Sequence, residues 1–134
     1  NVESYIKKLS SNILASFGSV KRAVNYSYAI SVNFMEMNTL IPVALILNEL
    51  ITNSLKHSKA EIEEILLSIQ LEKSTGDNYI LEFSDNGKEF PLSELAEKKT
   101  LGMQIVEALT SQLNGTLQLR YDGGLHFLIQ FSPV

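Results

Sequence analysis

Val2, Ile6, Leu9, Ile13, Leu14 and Phe17 recur at helical spacing, so Val2–Phe17 predicts a helix with one apolar stripe. Gly18 stands where such a helix can stop. Tyr26–Phe34 (YSYAISVNF) alternates apolar and polar residues and is rich in β-formers, which predicts a strand. Leu45–His57 (LILNELITNSLKH) has an apolar back and a polar arc. Pro42 suits a first helical turn, so a helix is predicted from there to about His57. Ile62–Glu72 fits helix or strand, and the alternation of Ile65, Leu67, Ile69 and Leu71 favours strand. After the turn-forming STGDN (Ser74–Asn78), Tyr79–Ser84 reads as a strand that pairs back as a hairpin. Lys88–Thr100 is polar, carries Pro91 and an EKK run, and reads as a loop. Gly102–Leu113 places Ile105, Val106, Leu109 and Leu113 on one helical side, and Asn114-Gly115 ends it. Thr116–Tyr121 and Leu125–Phe131 flank a DGG turn, a strong hairpin signal.

The order α β α β β loop α β β predicts an α/β (α+β) two-layer sandwich. Its sheet should be mixed and largely antiparallel, with two or three helices burying their stripes on one face. No repeat, low-complexity tract or second domain interrupts the chain, so residues 1–134 read as one domain.

Composition narrows the class of protein. The 134 residues are 45% hydrophobic and 19% charged, as in a globular domain. A net charge of −4 argues against a nucleic-acid partner, which calls for a basic face. With no cysteine there is neither a disulfide nor a thiolate site, which fits a cytoplasmic location. No apolar run approaches the roughly 20 residues of a membrane span, so no direct membrane contact is expected. The chain opens at Asn1 without Met and in mid-pattern, and reads as a piece of a longer protein.

Three blocks could carry chemistry. In the first, Glu49, Asn53 and Lys56 share one helix face at i, i+4 and i+7. The amide oxygen of Asn53 suits Mg²⁺, which takes hard oxygen ligands and keeps several waters. Glu49 could orient a water or polarise a nucleophile, Lys56 could neutralise phosphate charge, and His57 lies close enough to assist. The competing reading is a solvated helix face. In the second, Asp85-Asn86-Gly87 is either a strand-ending Asx turn or an adenine reader, with Asp85 as acceptor and Gly87 admitting the base. In the third, Thr100-Leu101-Gly102-Met103 opens a helix. Its N–H groups are an anion site, or Thr100 is simply an N-cap. No Walker A loop occurs, His57 and His126 have no ligand neighbours for zinc, and no nucleophile elbow is present.

In this order, the blocks resemble the catalytic and ATP-binding domain of sensor histidine kinases. LILNELITNSLKH resembles the asparagine box of the subfamily reading NEL-x-TN-x-LKH with a short lid. SDNG resembles the first glycine box, and TLGMQIVEALTSQLNGTLQL the second with its following helix and strand. The resemblance implies a Bergerat-type ATP-binding fold, with residues 1–18 as a leading helix after a dimerisation segment and 88–101 as the ATP lid. It implies ATP and Mg²⁺ as cofactors. Asn53 would be the metal ligand, Glu49, Lys56 and His57 the catalytic group, and Asp85, Gly87, Thr100, Leu101, Gly102 and Met103 the nucleotide contacts. Implied partners are the dimerisation and phosphoacceptor domain of the same parent kinase and a response regulator.

Three departures stand out. Only Gly102 remains of the usual glycines in the second box. Leu125 stands where the family often has a threonine whose hydroxyl supports the adenine-binding aspartate. No histidine in Val2–Phe17 could accept the phosphoryl group, so the fragment is not self-sufficient for autophosphorylation. Other readings are a nucleotide-binding or degenerate pseudokinase module, or an ATPase like the serine-kinase anti-sigma factors.

Overall fold

Five strands form one sheet in the order β1-β2-β3-β5-β4, and the helices lie on one side of it. In the computed structural model, residues 1–16, 23–56, 64–87 and 101–133 are described. The elements are α1 (Val2–Ser16), β1 (Ala23–Ile30), α2 (Met37–Lys56), β2 (Glu64–Lys73), β3 (Tyr79–Asp85), α3 (Leu101–Gln112), β4 (Thr116–Tyr121) and β5 (Leu125–Phe131). This is the α/β sandwich expected from the sequence.

One strand pair is parallel. β1 runs alongside β2 from Ala23↔Glu64 to Ile30↔Leu71, because α2 intervenes and carries the chain back over the sheet. The β2–β3 and β4–β5 pairs are the antiparallel hairpins that the turn residues announce, and β5 joins them by pairing with β3. Asp122, Gly123 and Gly124 turn the second hairpin, with the Asp122 N–H donating to the Gly124 carbonyl at 2.9 Å.

Strand alternation sorts the sheet into a covered and an open face. Ile65, Leu67, Ile69 and Leu71 of β2, Tyr79, Leu81 and Phe83 of β3, and Phe127, Ile129 and Phe131 of β5 are buried against Val43, Ile46, Leu47, Leu50 and Ile51 of α2 and Val106 of α3. Each such aliphatic side chain contributes about 1.5–3 kcal/mol on burial.

Helix ends differ from expectation in one case and match it in another. α2 begins at Met37, with the Glu36 carbonyl accepting the N–H groups of Thr39 and Leu40, so Pro42 falls in the second turn. Proline there withholds a donor only from the Asn38 carbonyl, near the exposed start of the helix, where water can replace it. α3 ends as Asn114-Gly115 predicts. Asn114 takes a left-handed φ of 53°, its N–H donates to Ser111, and the Gly115 N–H donates to Thr110. β1 starts earlier than predicted, at Ala23, and ends at Ile30, where its pairing with β2 stops.

α1 is capped by Asn1, whose side chain accepts the Ser4 N–H at 2.8 Å. It is tied to β1 by Ser10, which is buried and hydrogen-bonded to the Tyr28 hydroxyl, and by the Tyr26 hydroxyl, which donates to the Ser10 carbonyl at 3.0 Å. No helix among the described residues is long and apolar enough to cross a membrane.

Candidate functional site

Period-two alternation puts Asp85 on the same side of β3 as Tyr79, Leu81 and Phe83, so its carboxylate points toward the helix layer. A partly buried carboxylate there needs donors. Oδ1 accepts the Gly87 N–H at 2.9 Å and the Leu125 N–H at 3.1 Å. Oδ2 accepts the Ser54 hydroxyl of α2 at 2.8 Å. Three donors from three segments thus orient one side chain.

The turn behind it is equally determined. The β2–β3 ladder reaches Leu67↔Asp85, and beyond it the side chain of Asn86 substitutes for backbone. Asn86 Oδ1 accepts the Leu66 N–H at 2.9 Å, and Nδ2 donates to the Glu64 carbonyl at 2.8 Å. Gly124 closes in from the DGG turn at a φ of 156°, where a Cβ would lie 1.7 Å from the Asp85 carbonyl oxygen.

A second polar cluster forms where α2 meets the start of α3. A Cβ at Gly102 would stand 2.9 Å from Glu49 Oε2 and 3.3 Å from Asn53 Nδ2. The φ of Gly102 is not left-handed, so conformation does not demand glycine there. Space does. The absent side chain lets the first turn of α3 approach the carboxylate and amide of α2. A carboxylate beside a helix N-terminus is also favoured by the helix dipole. Among the described residues, neither Glu49 nor Asn53 makes a side-chain hydrogen bond, so both remain open to an incoming group.

The structure therefore brings Glu49, Asn53 and Gly102 together, and links Asp85 and Gly87 to the same helix through Ser54. Lys56 is exposed in the last turn of α2. Leu101 is 73% exposed at the start of α3, whereas the Met103 side chain is 7% exposed and belongs to the core. His57, Thr100 and residues 88–100 of the expected lid lie outside the described residues. Sequence reasoning missed Ser54, Asn86 and the Leu125 N–H, whose partners are distant in the chain.

Mg²⁺ fits the donor set only as a sparsely liganded ion. No group of three or more His, Cys, Asp or Glu side chains converges among the described residues. One amide oxygen and one nearby carboxylate suit a cation that keeps waters and takes phosphate oxygens.

Comparison with known proteins agrees with this geometry. The sequence profile described as "Histidine kinase-, DNA gyrase B-, and HSP90-like ATPase" matches residues 39–133. A search among curated protein sequences gives no match. Among solved structures, the histidine kinase domain of a blue-light activated histidine kinase from Erythrobacter litoralis superposes with a TM-score of 0.83 at 19% identity. The match covers 98% of this chain and 60% of that one. The histidine kinase AdeS of Acinetobacter baumannii gives 0.72 at 22% identity, over 94% of this chain and 64% of that one. The catalytic domain of the histidine kinase ThkA gives 0.77 at 12% identity, over 98% of this chain and 93% of that one. This chain thus spans less than two thirds of the first two proteins and nearly all of an isolated catalytic domain. With the profile matched over most of its length, the chain belongs to the histidine kinase-, DNA gyrase B- and HSP90-like ATPase family, and its fold is that of the histidine kinase catalytic domain.

Proposed function

We propose that this domain binds ATP with Mg²⁺ and presents the γ-phosphoryl group to a histidine on a dimerisation and phosphoacceptor segment of a two-component sensor kinase. The observation that carries the proposal is the two-ended site along α2. Ser54 reaches the buried-side carboxylate of Asp85, while Glu49 and Asn53 meet the glycine start of α3.

In this reading Asp85 accepts an N–H of the adenine amino group, and Gly87 leaves room beside it. The N–H groups of Leu101, Gly102 and Met103 face the phosphates, with Thr100 contributing from the residue before. Asn53 supplies an amide oxygen to Mg²⁺, which when bound neutralises phosphate charge. Lys56 and His57 add positive or donor character. Glu49 is placed to hold the proton of the attacking imidazole or to orient it. As the imidazole nitrogen bonds to the γ-phosphorus, the bond to the β–γ bridging oxygen breaks and ADP leaves. Catalysis of this kind rests on positioning and charge neutralisation.

The accepting histidine comes from outside the domain. His126 projects on the open face of the sheet, with Nε2 2.9 Å from the Asp122 carbonyl and the sheet between it and the helix layer. The phosphohistidine would then supply a response regulator, in the cytoplasm where ATP is available.

Calorimetric titration with ATP and Mg²⁺ tests the reading. Binding is expected for the unmodified chain and is expected to be lost in Asp85→Ala. Asn53→Ala should bind with little difference between Mg²⁺ and its absence. A folded chain that binds no ATP contradicts the proposal.

A further inference from the structure

The acceptor positions of the Asp85 carboxylate are unequally filled. Each oxygen offers about two lone-pair sites. Oδ1 accepts two backbone N–H groups, from Gly87 and Leu125, whereas Oδ2 accepts only the Ser54 hydroxyl among the described residues. The remaining acceptor position is therefore on Oδ2, beside Ser54.

Ser54, half-buried on α2, differs in where its hydroxyl donates from the buried Ser10 and Thr110. Ser10 donates back to the Ile6 carbonyl at 2.9 Å while also meeting the Tyr28 hydroxyl, and Thr110 donates to Val106 at 2.7 Å, the usual local pattern of donation. Ser54 instead reaches across to β3, 31 residues away. It follows Asn53 directly, so one turn of α2 carries both a donor to Asp85 and an amide beside Gly102. Position 125 lies on the inward row of β5 with Phe127 and Ile129, yet Leu125 has no hydroxyl and offers Asp85 only its backbone N–H. Ser54 is the one side-chain donor to Asp85 among the described residues.

We infer that Ser54 is a specificity-determining positioning residue of the nucleotide site. Its hydroxyl fixes the plane of the Asp85 carboxylate so that the open acceptor position on Oδ2 meets an exocyclic amine of the base. A base with a keto oxygen at that place would set acceptor against acceptor and be rejected, since a polar site discriminates strongly against a ligand that leaves it unpaired. The inference rests on the ATP reading above and adds to it the source of base selectivity. The hydroxyl that the resemblance led one to expect from position 125 is delivered from α2 instead.

The test compares ADP with inosine diphosphate, which carries a keto group in place of the amine. Dissociation constants are measured for the unmodified chain, Ser54→Ala, Ser54→Cys and Ser54→Thr, with thermal melts to establish folding. The unmodified chain should prefer ADP. Ser54→Ala and Ser54→Cys should lose about tenfold in that preference, the equivalent of one hydrogen bond to a charged group, and Ser54→Thr should keep it. A general structural role would lower both affinities together and leave their ratio alone. An unchanged ratio in folded Ser54→Ala or Ser54→Cys overturns the inference while leaving ATP binding intact. If the folded, unmodified chain binds neither nucleotide, the ATP reading itself fails.

Discussion

The two ends of the site are built on opposite terms. At the Asp85 end, each polar group is engaged before any ligand arrives: three donors hold the carboxylate, Asn86 extends the β2–β3 ladder, and Gly124 presses on the turn. At the Glu49–Asn53 end, two side chains face a glycine with no hydrogen bond between them and the other described residues. Under the proposed function, a rigid, flat base suits the preset end, and a metal–phosphate group, which brings its own charge and waters, suits the end left open.

Substitutions should separate the two ends by their effect on the fold. Gly124→Ala is the most severe. Its Cβ would lie 1.7 Å from the Asp85 carbonyl oxygen, so a loss of about 3 kcal/mol is expected in urea denaturation, as for a badly overpacked site. Gly102→Ala should do the reverse. The atom its Cβ meets most closely is the tip of Glu49, which can swing aside, and alanine favours a helix over glycine by up to about 1 kcal/mol. Stability should be unchanged or raised while ATP affinity falls about tenfold, or about 1.4 kcal/mol. If Gly102→Ala is destabilised as much as Gly124→Ala, the contrast between the ends is wrong.

Asn86→Ala should cost about 1–2 kcal/mol, since it removes two hydrogen bonds and leaves the Leu66 N–H and Glu64 carbonyl to water. Nucleotide affinity should fall with it, because the Asp85 turn loses its tether. Asn86→Asp keeps the acceptor for Leu66 but cannot donate to Glu64, and should fall between. Equal nucleotide affinity in Asn86→Ala would detach that tether from the site.

The smallest effect is a control at the α1–β1 contact, separated from Asp85 by strand β2. Burial, reinforced by the neighbouring Tyr28 phenol, pushes the Tyr26 hydroxyl from its ordinary 10.0 up to about 12. Below pH 10 both folded and unfolded chains hold that proton. Between pH 10 and about 12 the unfolded chain releases it first, so stability should decline as pH rises through this window. Tyr26→Phe should flatten that part of a melting-temperature profile and leave nucleotide affinity unchanged. A change in affinity would tie the α1–β1 contact to the site.

The same contrast explains what the sequence made legible. Local signals were sufficient for the β2 alternation, the DGG hairpin, the Asn114-Gly115 stop, and the common face of Glu49 and Asn53. Each depends on neighbours within a few residues. The limits of β1 were not legible, because they are set by pairing with β2 about 40 residues later. α2 starts ahead of the position that Pro42 suggests, because the bond the proline removes is easily replaced there. Ser54 and Asn86 carry no local mark, since a serine in a helix and an asparagine in a turn are common. The Leu125 N–H carries no side-chain signal at all.

The most direct measurement is a map of backbone amide shifts in the uniformly labelled chain as ADP and Mg²⁺ are added. The account predicts the largest changes at Ser54, Asp85, Gly87, Gly102 and Leu125, with the open face of the sheet unmoved. The open face has its own shallow depression of about 360 Å³, lined in part by Ser27, Ser68, Ser84 and His126. Shifts concentrated on those residues, with Ser54 and Gly102 silent, would contradict the placement of the nucleotide between α2, α3 and the Asp85 turn.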